Sequence, residues 1–151
     1  MDTPVGPLSI FADEDALLRI SFGIVEGVAD HKEHPILCHA LKELKAYFSG
    51  DLKVFTVPLR LQGTEFQIKV WNALKSIHWG SRCTYGDIAE RIGNTKASRA
   101  VGMANNKNPI PIIIPCHRVV GSSGKLVGYA GGLDVKQKLL ALEQNQPDLF
   151  C

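Results

Sequence analysis

Cys116 and His117 are adjacent in the sequence, and Arg118 follows them directly. A thiolate, not a thiol, is the nucleophile, and a nearby imidazole or guanidinium makes thiolate available near neutral pH. The three residues end the run Ile110-Pro-Ile-Ile-Ile-Pro-Cys-His-Arg118. Ile112, Ile113 and Ile114 are β-branched and suit a buried, pleated setting. Pro111 and Pro115 exclude a helix and argue against a long central strand. The pattern therefore predicts a short, stiff strand that delivers Cys116 and His117 at its end, on opposite faces of an extended chain. Free cysteine is also among the most buried residue types simply as a small apolar group. Reactive thiol and inert core residue are both open on this stretch alone.

Other chemistry-bearing residues are weaker. His31, His34 and Cys38 could ligate a metal only from one helical face, and Pro35 interrupts them, so loop histidines are expected and no metal. The glycine-rich stretch Leu126-Val-Gly-Tyr-Ala-Gly-Gly132 lacks the GxxxxGK[ST] order of a phosphate loop. Its glycines instead allow backbone to approach a flat ligand. Cys38, Cys83, Cys116 and Cys151 show no CxxC pair, which argues for free thiols and a reducing, cytoplasmic setting. No apolar run approaches the ~20 residues of a membrane span, so no membrane association is expected. Charge is unevenly placed. Residues 60–125 hold ten Lys/Arg against three Asp/Glu, while the remainder holds seven against twelve. That imbalance points to a polyanionic partner for one part of the chain.

The elements that must position these groups fall into two parts, 1–62 and 63–151. In the first, Leu8–Phe11 and Ala16–Phe22 read as strands joined by a turn at Asp13-Glu-Asp15, and Ile36, Leu37, Leu41, Leu44 and Phe48 recur at helical spacing up to Ser49-Gly50. Val54–Leu61 is extended, with Pro58 marking an edge or linker. In the second part Thr64-Glu-Phe-Gln67 is a capping box that opens a helix with Phe66, Val70, Leu74 and Ile77 on one face. Thr84-Tyr85-Gly86-Asp87 opens a short helix to Ile92, closed by Gly93, and Thr95 is expected to cap a third from Lys96 to about Asn106. Two short helices across a glycine turn form a helix-turn-helix pattern. The third helix is thin at Ala97, Ser98, Ala100, Gly102 and Ala104 and positive at Lys96, Arg99 and Lys107. Such a helix fits close approach to a nucleic-acid backbone or tight helix packing. Asp134 is expected to cap a last helix bearing Leu139, Leu140, Leu142 and the carboxylate Glu143, and Gln144–Cys151 to fray.

Taken together, Ile114-Pro-Cys-His-Arg-Val119, Ser98-Arg-Ala-Val-Gly102, Asn108-Pro109, Tyr129-Ala-Gly-Gly132 and Lys138-Leu-Leu-Ala-Leu-Glu143 resemble the O6-alkylguanine-DNA alkyltransferases, also called methylated-DNA–protein-cysteine methyltransferases. The resemblance runs from about Gly63 to Glu143. It implies an α+β protein with a small ribonuclease H-like N-terminal domain and a mainly helical, winged-helix-like DNA-binding and alkyl-acceptor domain. It implies repair of O6-alkylguanine, and of O4-alkylthymine as an open case, by transfer of the alkyl group to Cys116, once per molecule and without a cofactor. By position, His117 accepts the thiol proton through a water, Glu143 orients the imidazole, Tyr85 donates to N3 of the base, and Asn108 ties the helix-turn-helix to the reactive strand. Arg99 corresponds to the intercalating arginine that fills the stack vacated by a flipped base. The same resemblance assigns DNA contacts to Thr84, Lys96, Ala97, Ser98, Ala100, Asn105 and Lys107, and a base pocket to Tyr85, Val119, Tyr129, Ala130 and Gly131. The partner it implies is double-stranded DNA approached from the minor groove by a monomer.

Thr95 and His78 stand where proline is common in the family, and Ala130 where some members have serine, which bears on the turn and on bulky adducts. A module that binds alkylated DNA without repairing it resembles the same family but lacks the cysteine, which is present here. A sequence-specific regulator fits less well, because few side chains of the third helix can read base edges.

Overall fold

The structure is a computed structural model, and it describes residues 1–27, 31, 33–144 and 149–150. The chain divides into two compact units, Met1–Gln62 and Gly63–Cys151.

In the first unit three antiparallel strands, β1 (Asp2–Thr3), β2 (Gly6–Ala12) and β3 (Leu17–Phe22), form a sheet in sequence order. The turn between β2 and β3 is set by Asp13, whose Oδ1 accepts from the N–H groups of Asp15 and Ala16 at 2.8 Å each. This use of a short carboxylate to close a turn is why Asp sits there. Helix α1 (Pro35–Phe48) starts with proline in its first turn, where a missing N–H costs nothing, and Nδ1 of His34 accepts from the Ile36 N–H. His34 is thus a helix cap. No group of metal-ligating side chains forms among the described residues. Leu8, Leu17, Ile20, Ala40, Leu44, Tyr47 and Val57 make the core. Glu43 is buried among them because its carboxylate accepts from Thr56 N–H and Oγ1 and from Val57 N–H, as a buried charge requires.

The second unit carries the helices. Helix α2 (Glu65–Leu74) begins in the expected capping box, Thr64 accepting from Gln67 N–H while Gln67 Oε1 accepts from Thr64 N–H. Its Trp71 donates from Nε1 to the carbonyl of Ala104 at 2.9 Å, which joins α2 to the helix that packs across it. Gly63 is needed beside that ring, since a Cβ there would lie 2.7 Å from it. Strand β4 (Ser81–Thr84) leads into α3 (Tyr85–Arg91), again through a reciprocal cap between Thr84 and Asp87. A turn with Gly93 at φ 77° then leads to α4 (Ser98–Asn106). The expected start at Thr95 and Lys96 does not hold. The N-cap is Ala97, with no side-chain hydrogen bond, and the turn consumes the residues before it.

Val119–Val120 form β5 and Leu149–Phe150 form β6, both parallel to β4 in the order β5-β4-β6. Helix α5 (Leu133–Leu142) is preceded by Gly132 at φ 94°, so the cap position falls to glycine and Asp134 lies within the first turn. The fraying expected of Gln144–Cys151 does not hold at Leu149–Phe150, which pair with β4, and residues 145–148 and 151 lie outside the described residues. Cys38 and Cys116 are in no disulfide, whereas Cys83 is disulfide-bonded, so the expectation of thiols over disulfides does not hold at Cys83. A disulfide depends on two sulfurs meeting in space, which spacing along the chain does not reveal.

Candidate active site

The reactive cysteine sits after a tight buried turn. Asn108 Oδ1 accepts from the Ile110 N–H at 3.0 Å and its Nδ2 donates to the Ile114 carbonyl at 2.7 Å, so one side chain just past α4 holds both ends of 110–114. Ile114 N–H closes the loop on the Ile110 carbonyl, and Ile112 adopts φ 75°. The expected isoleucine strand is therefore corrected to a turn. Its side chains are buried as the pattern required, but the backbone reverses and Asn108 stands in for a neighbouring strand. Cys116–Arg118 then form one 3-10 turn, with Arg118 N–H donating to the Pro115 carbonyl. Successive side chains thus fan around an axis with three residues per turn, and do not alternate across a strand.

That fan separates three roles. Cys116 is 4% exposed, His117 0% and Arg118 5%. His117 Nε2 lies 2.7 Å from Glu143 Oε2, and Arg118 grips the same carboxylate with Nε at 2.8 Å and Nη2 at 3.0 Å. Arg118 also donates from Nη1 to the Ile77 carbonyl. Burial alone would raise the Glu143 carboxyl, but His117 and Arg118 hold it well below the usual carboxylate range. Burial lowers the pKa of His117, against the pull of Glu143, so the ring is neutral at pH 7. With Glu143 ionised, Nε2 carries the hydrogen and donates. Nδ1 is then the basic nitrogen, and it is buried with no hydrogen-bond partner among the described residues. Burial pushes the Cys116 thiol up, and Asn108, Tyr129 and Lys136 each oppose that rise.

Lys136 is a residue that sequence reasoning passed over. It is fully buried, and its Nζ donates to the carbonyls of Val119 at 2.6 Å and Val127 at 3.0 Å. Burial lowers its pKa to about 8, with Cys116 pulling the other way. A signal was present, since position 136 falls three, four and seven residues before Leu139, Leu140 and Glu143, on the stripe of α5 that faces the core. A lysine on that stripe is an anomaly. Sequence adjacency places Arg118 beside the thiol, whereas its engagement with Glu143 joins residues too far apart in sequence to be read as a pair.

Around the cysteine, Tyr85 opens α3 and donates from Oη to the Val127 carbonyl at 3.3 Å. Burial, with a further contribution from Cys116, raises its pKa, so it stays a donor. Val119 follows the 3-10 turn and is fully buried. Tyr129 and Gly131 are half-buried, and Ala130 exposed, on the loop before α5. On α4 the exposed side chains are Arg99, Ala100, Met103 and Asn106, with Lys96 before the helix and Lys107 at its end also exposed. Ala97 and Ser98 are half-buried, and Thr84 spends its hydroxyl on the cap of α3. Asn105 is not on this face. It is 1% exposed and donates from Nδ2 to the Cys116 carbonyl at 3.4 Å, so its expected place on the DNA side is corrected to a brace under the reactive turn.

Residues 65–145 match the family described as 6-O-methylguanine DNA methyltransferase, DNA binding domain, and residues 1–61 match the ribonuclease-like domain of the same family. The methylated-DNA–protein-cysteine methyltransferase of Methanosarcina acetivorans is 50% identical, covering 94% of this chain and 94% of its own. Among solved structures, the OGT protein of Mycobacterium tuberculosis in complex with DNA is 44% identical with a TM-score of 0.86, over 98% of this chain and 92% of that one. An O6-methylguanine DNA methyltransferase from Methanococcus jannaschii has a TM-score of 0.71 at 33% identity, over 92% and 89%.

Proposed function

The chain belongs to the 6-O-methylguanine DNA methyltransferase family, and from that premise we propose that Cys116 is the atom-accepting residue of a direct, one-use DNA repair reaction. As a member it is an α+β methylated-DNA–protein-cysteine methyltransferase that binds DNA and moves the alkyl group from guanine O6 to a cysteine of its own. The observation that carries the assignment to Cys116 is the buried His117–Glu143–Arg118 constellation beside it, with Nδ1 of His117 left basic.

The reaction begins with proton removal. Nδ1 of His117 takes the Cys116 proton through a bridging water, and Glu143 stabilises the imidazolium as a carboxylate does in a triad. The Sγ lone pair attacks the alkyl carbon, an S–C bond forms, and the C–O6 bond breaks with its electrons passing into the guanine. Tyr85 donates a hydrogen bond to N3 as negative charge develops there. The product thioether holds the alkyl group on sulfur, so each molecule reacts once.

A thiol buried this deeply cannot reach a base inside a duplex, so the lesion is flipped out. Arg99, exposed on α4, fills the gap. The small residues around it suit the minor groove, with Lys96 and Lys107 on phosphates. Val119 and the Tyr129–Gly131 loop wall the base, Asn108 fixes the reactive turn relative to α4, and the protein works as a monomer. Residues 63–151 carry the DNA and acceptor chemistry, and 1–62 serve as scaffold. Cys38 is exposed, which makes it the internal control. Incubation with O6-benzylguanine followed by peptide mass spectrometry is expected to place one benzyl group on Cys116; an unmodified protein, or a label on Cys38, contradicts the proposal.

A further inference from the structure

Resting on the reading of α4 as the helix that meets duplex DNA, we propose that Met103 is a second wedge in the minor groove: its side chain lies against the bases flanking the gap that Arg99 fills. Met103 is 64% exposed, a large apolar group where the chain is otherwise kept thin by Ala97, Ser98, Ala100 and Gly102. An isolated exposed apolar residue means little by itself. Its surroundings give this one a partner. Arg99, Ala100, Met103 and Asn106 are exposed at helical spacing and form one stripe, while Val101, Ala104 and Asn105 face the interior. Lys96 before the helix and Lys107 at its end are exposed too, so cations lie to either side of Met103 along the chain. A polyanion drawn to those cations reaches the thioether, whereas an apolar protein surface docked there would leave them covered and unpaired.

Side chains on a helix lean toward its N-terminus, so each covers the turn before its own. Met103 comes four residues after Arg99 and therefore projects over the turn that carries the guanidinium. Gly102, the residue before it, packs on the Tyr85 ring, where a Cβ would lie 3.8 Å away. Met103 is thus one residue from the contact with the phenol that meets the extruded base. The two exposed groups bring different chemistry to neighbouring levels of the duplex. Arg99 is charged and planar, while Met103 is unbranched, apolar and able to follow an irregular surface. Extrusion of a base leaves the faces of its neighbours exposed to water, and Met is among the apolar side chains that enter the minor groove and cover unstacked steps. Such a contact neutralises no phosphate and releases no counterion, so it adds affinity without adding salt dependence. That property separates it from Lys96, Arg99 and Lys107.

The test compares M103A and M103L with the unaltered chain in affinity for a duplex carrying an abasic site, in the salt slope of that affinity, in repair of a duplex lesion and in transfer from free O6-benzylguanine. M103A is expected to lose about tenfold in duplex affinity with its salt slope unmoved, and to lose more in duplex repair than in transfer from the free base. M103L, which keeps the apolar volume, should recover most of that affinity. A second readout needs no variant, because Met103 is one of two methionines in the chain and Met1 is the other. Hydrogen peroxide transfers an oxygen atom to the thioether sulfur, giving the sulfoxide and leaving water, and peptide mass spectrometry follows each site. The same duplex is expected to slow sulfoxide formation at Met103 and not at Met1. Affinity of M103A within about twofold of the unaltered chain, a salt slope that changes with the substitution, or oxidation of Met103 indifferent to duplex each overturns the proposal. Failure of the reading of α4 itself appears separately: the unaltered chain would bind no duplex, or would keep its affinity when Lys96 and Arg99 are removed together.

Discussion

At the scale of single residues, the site separates the acid and base forms of neighbouring groups by burial and pairing. His117 is neutral because burial outweighs its carboxylate neighbour, and Glu143 is ionised because two cationic or donor partners outweigh burial. Replacing His117 by Gln keeps a donor toward Glu143 but removes the basic nitrogen. Benzyl transfer is then expected to fall by about 10²–10⁴, read by mass spectrometry over time, with binding to undamaged duplex retained; an unchanged rate would remove His117 from the proton path. Glu143→Gln is different in kind. It leaves Arg118 buried without its counter-charge, which costs on the order of 3–5 kcal/mol, so chemical unfolding should show a lowered midpoint as well as slower transfer. The same shifts give a direction to pH. An unfolded histidine binds its proton near pH 6.5, whereas folded His117 does so only at lower pH, so between those values the unfolded chain holds more protons. Stability therefore falls as pH drops below about 6.5, and Glu143, ionised in the fold to a lower pH than when unfolded, adds to the loss further down. Thermal unfolding between pH 7 and 5 checks this, and the part of the decline due to His117 should be missing in the Gln variant.

At the scale of elements, what the sequence made legible was whatever is encoded locally. Thr64 with Gln67 and Thr84 with Asp87 announced α2 and α3 because a cap is satisfied within four residues. The hairpin of β2 and β3 was readable from alternation and an acidic turn. The isoleucine run misled because burial and β-branching were correct while backbone direction was set elsewhere, by Asn108 and by Ile112 at φ 75°. The stripe of α5 marks Lys136 as buried, but its partners are carbonyls, which carry no sequence signature. At Ile112 strain and packing oppose each other. A β-branched residue in the left-handed region is strained by roughly 1–2 kcal/mol, and Gly there would remove that strain. Ile112 is also 1% exposed, and losing a buried isoleucine costs roughly 2–5 kcal/mol. Packing wins, so Ile112→Gly should lower the urea midpoint; a raised midpoint would mean that strain outweighs packing there. On α4 the same separation of roles predicts that Arg99→Ala slows repair of a duplex lesion far more than reaction with free benzylguanine. Equal losses on both substrates would place Arg99 in the chemistry and not in the extrusion of the base.

For the molecule as a whole, charge is the property that no single element contains. The net charge is only +2, so long-range attraction to DNA by the whole chain is slight. The excess of cations over residues 60–125 is also smaller in effect than its count, because Arg118 is neutralised internally by Glu143. What remains available on α4 and its flanks is Lys96, Arg99 and Lys107, all exposed. Each phosphate neutralised releases counterions, and the logarithm of affinity falls with the logarithm of salt by about 0.9 for each such contact on duplex DNA. Affinity for duplex should therefore weaken with salt in proportion to these few contacts, while transfer from free benzylguanine, which needs no phosphate, stays level. Removing Lys96 or Lys107 singly should reduce the salt slope by about one without changing the rate at which Cys116 reacts with the free base. If both variants keep the full slope, the electrostatic footprint on DNA lies away from α4, and the helix would be positioned by contacts of another kind.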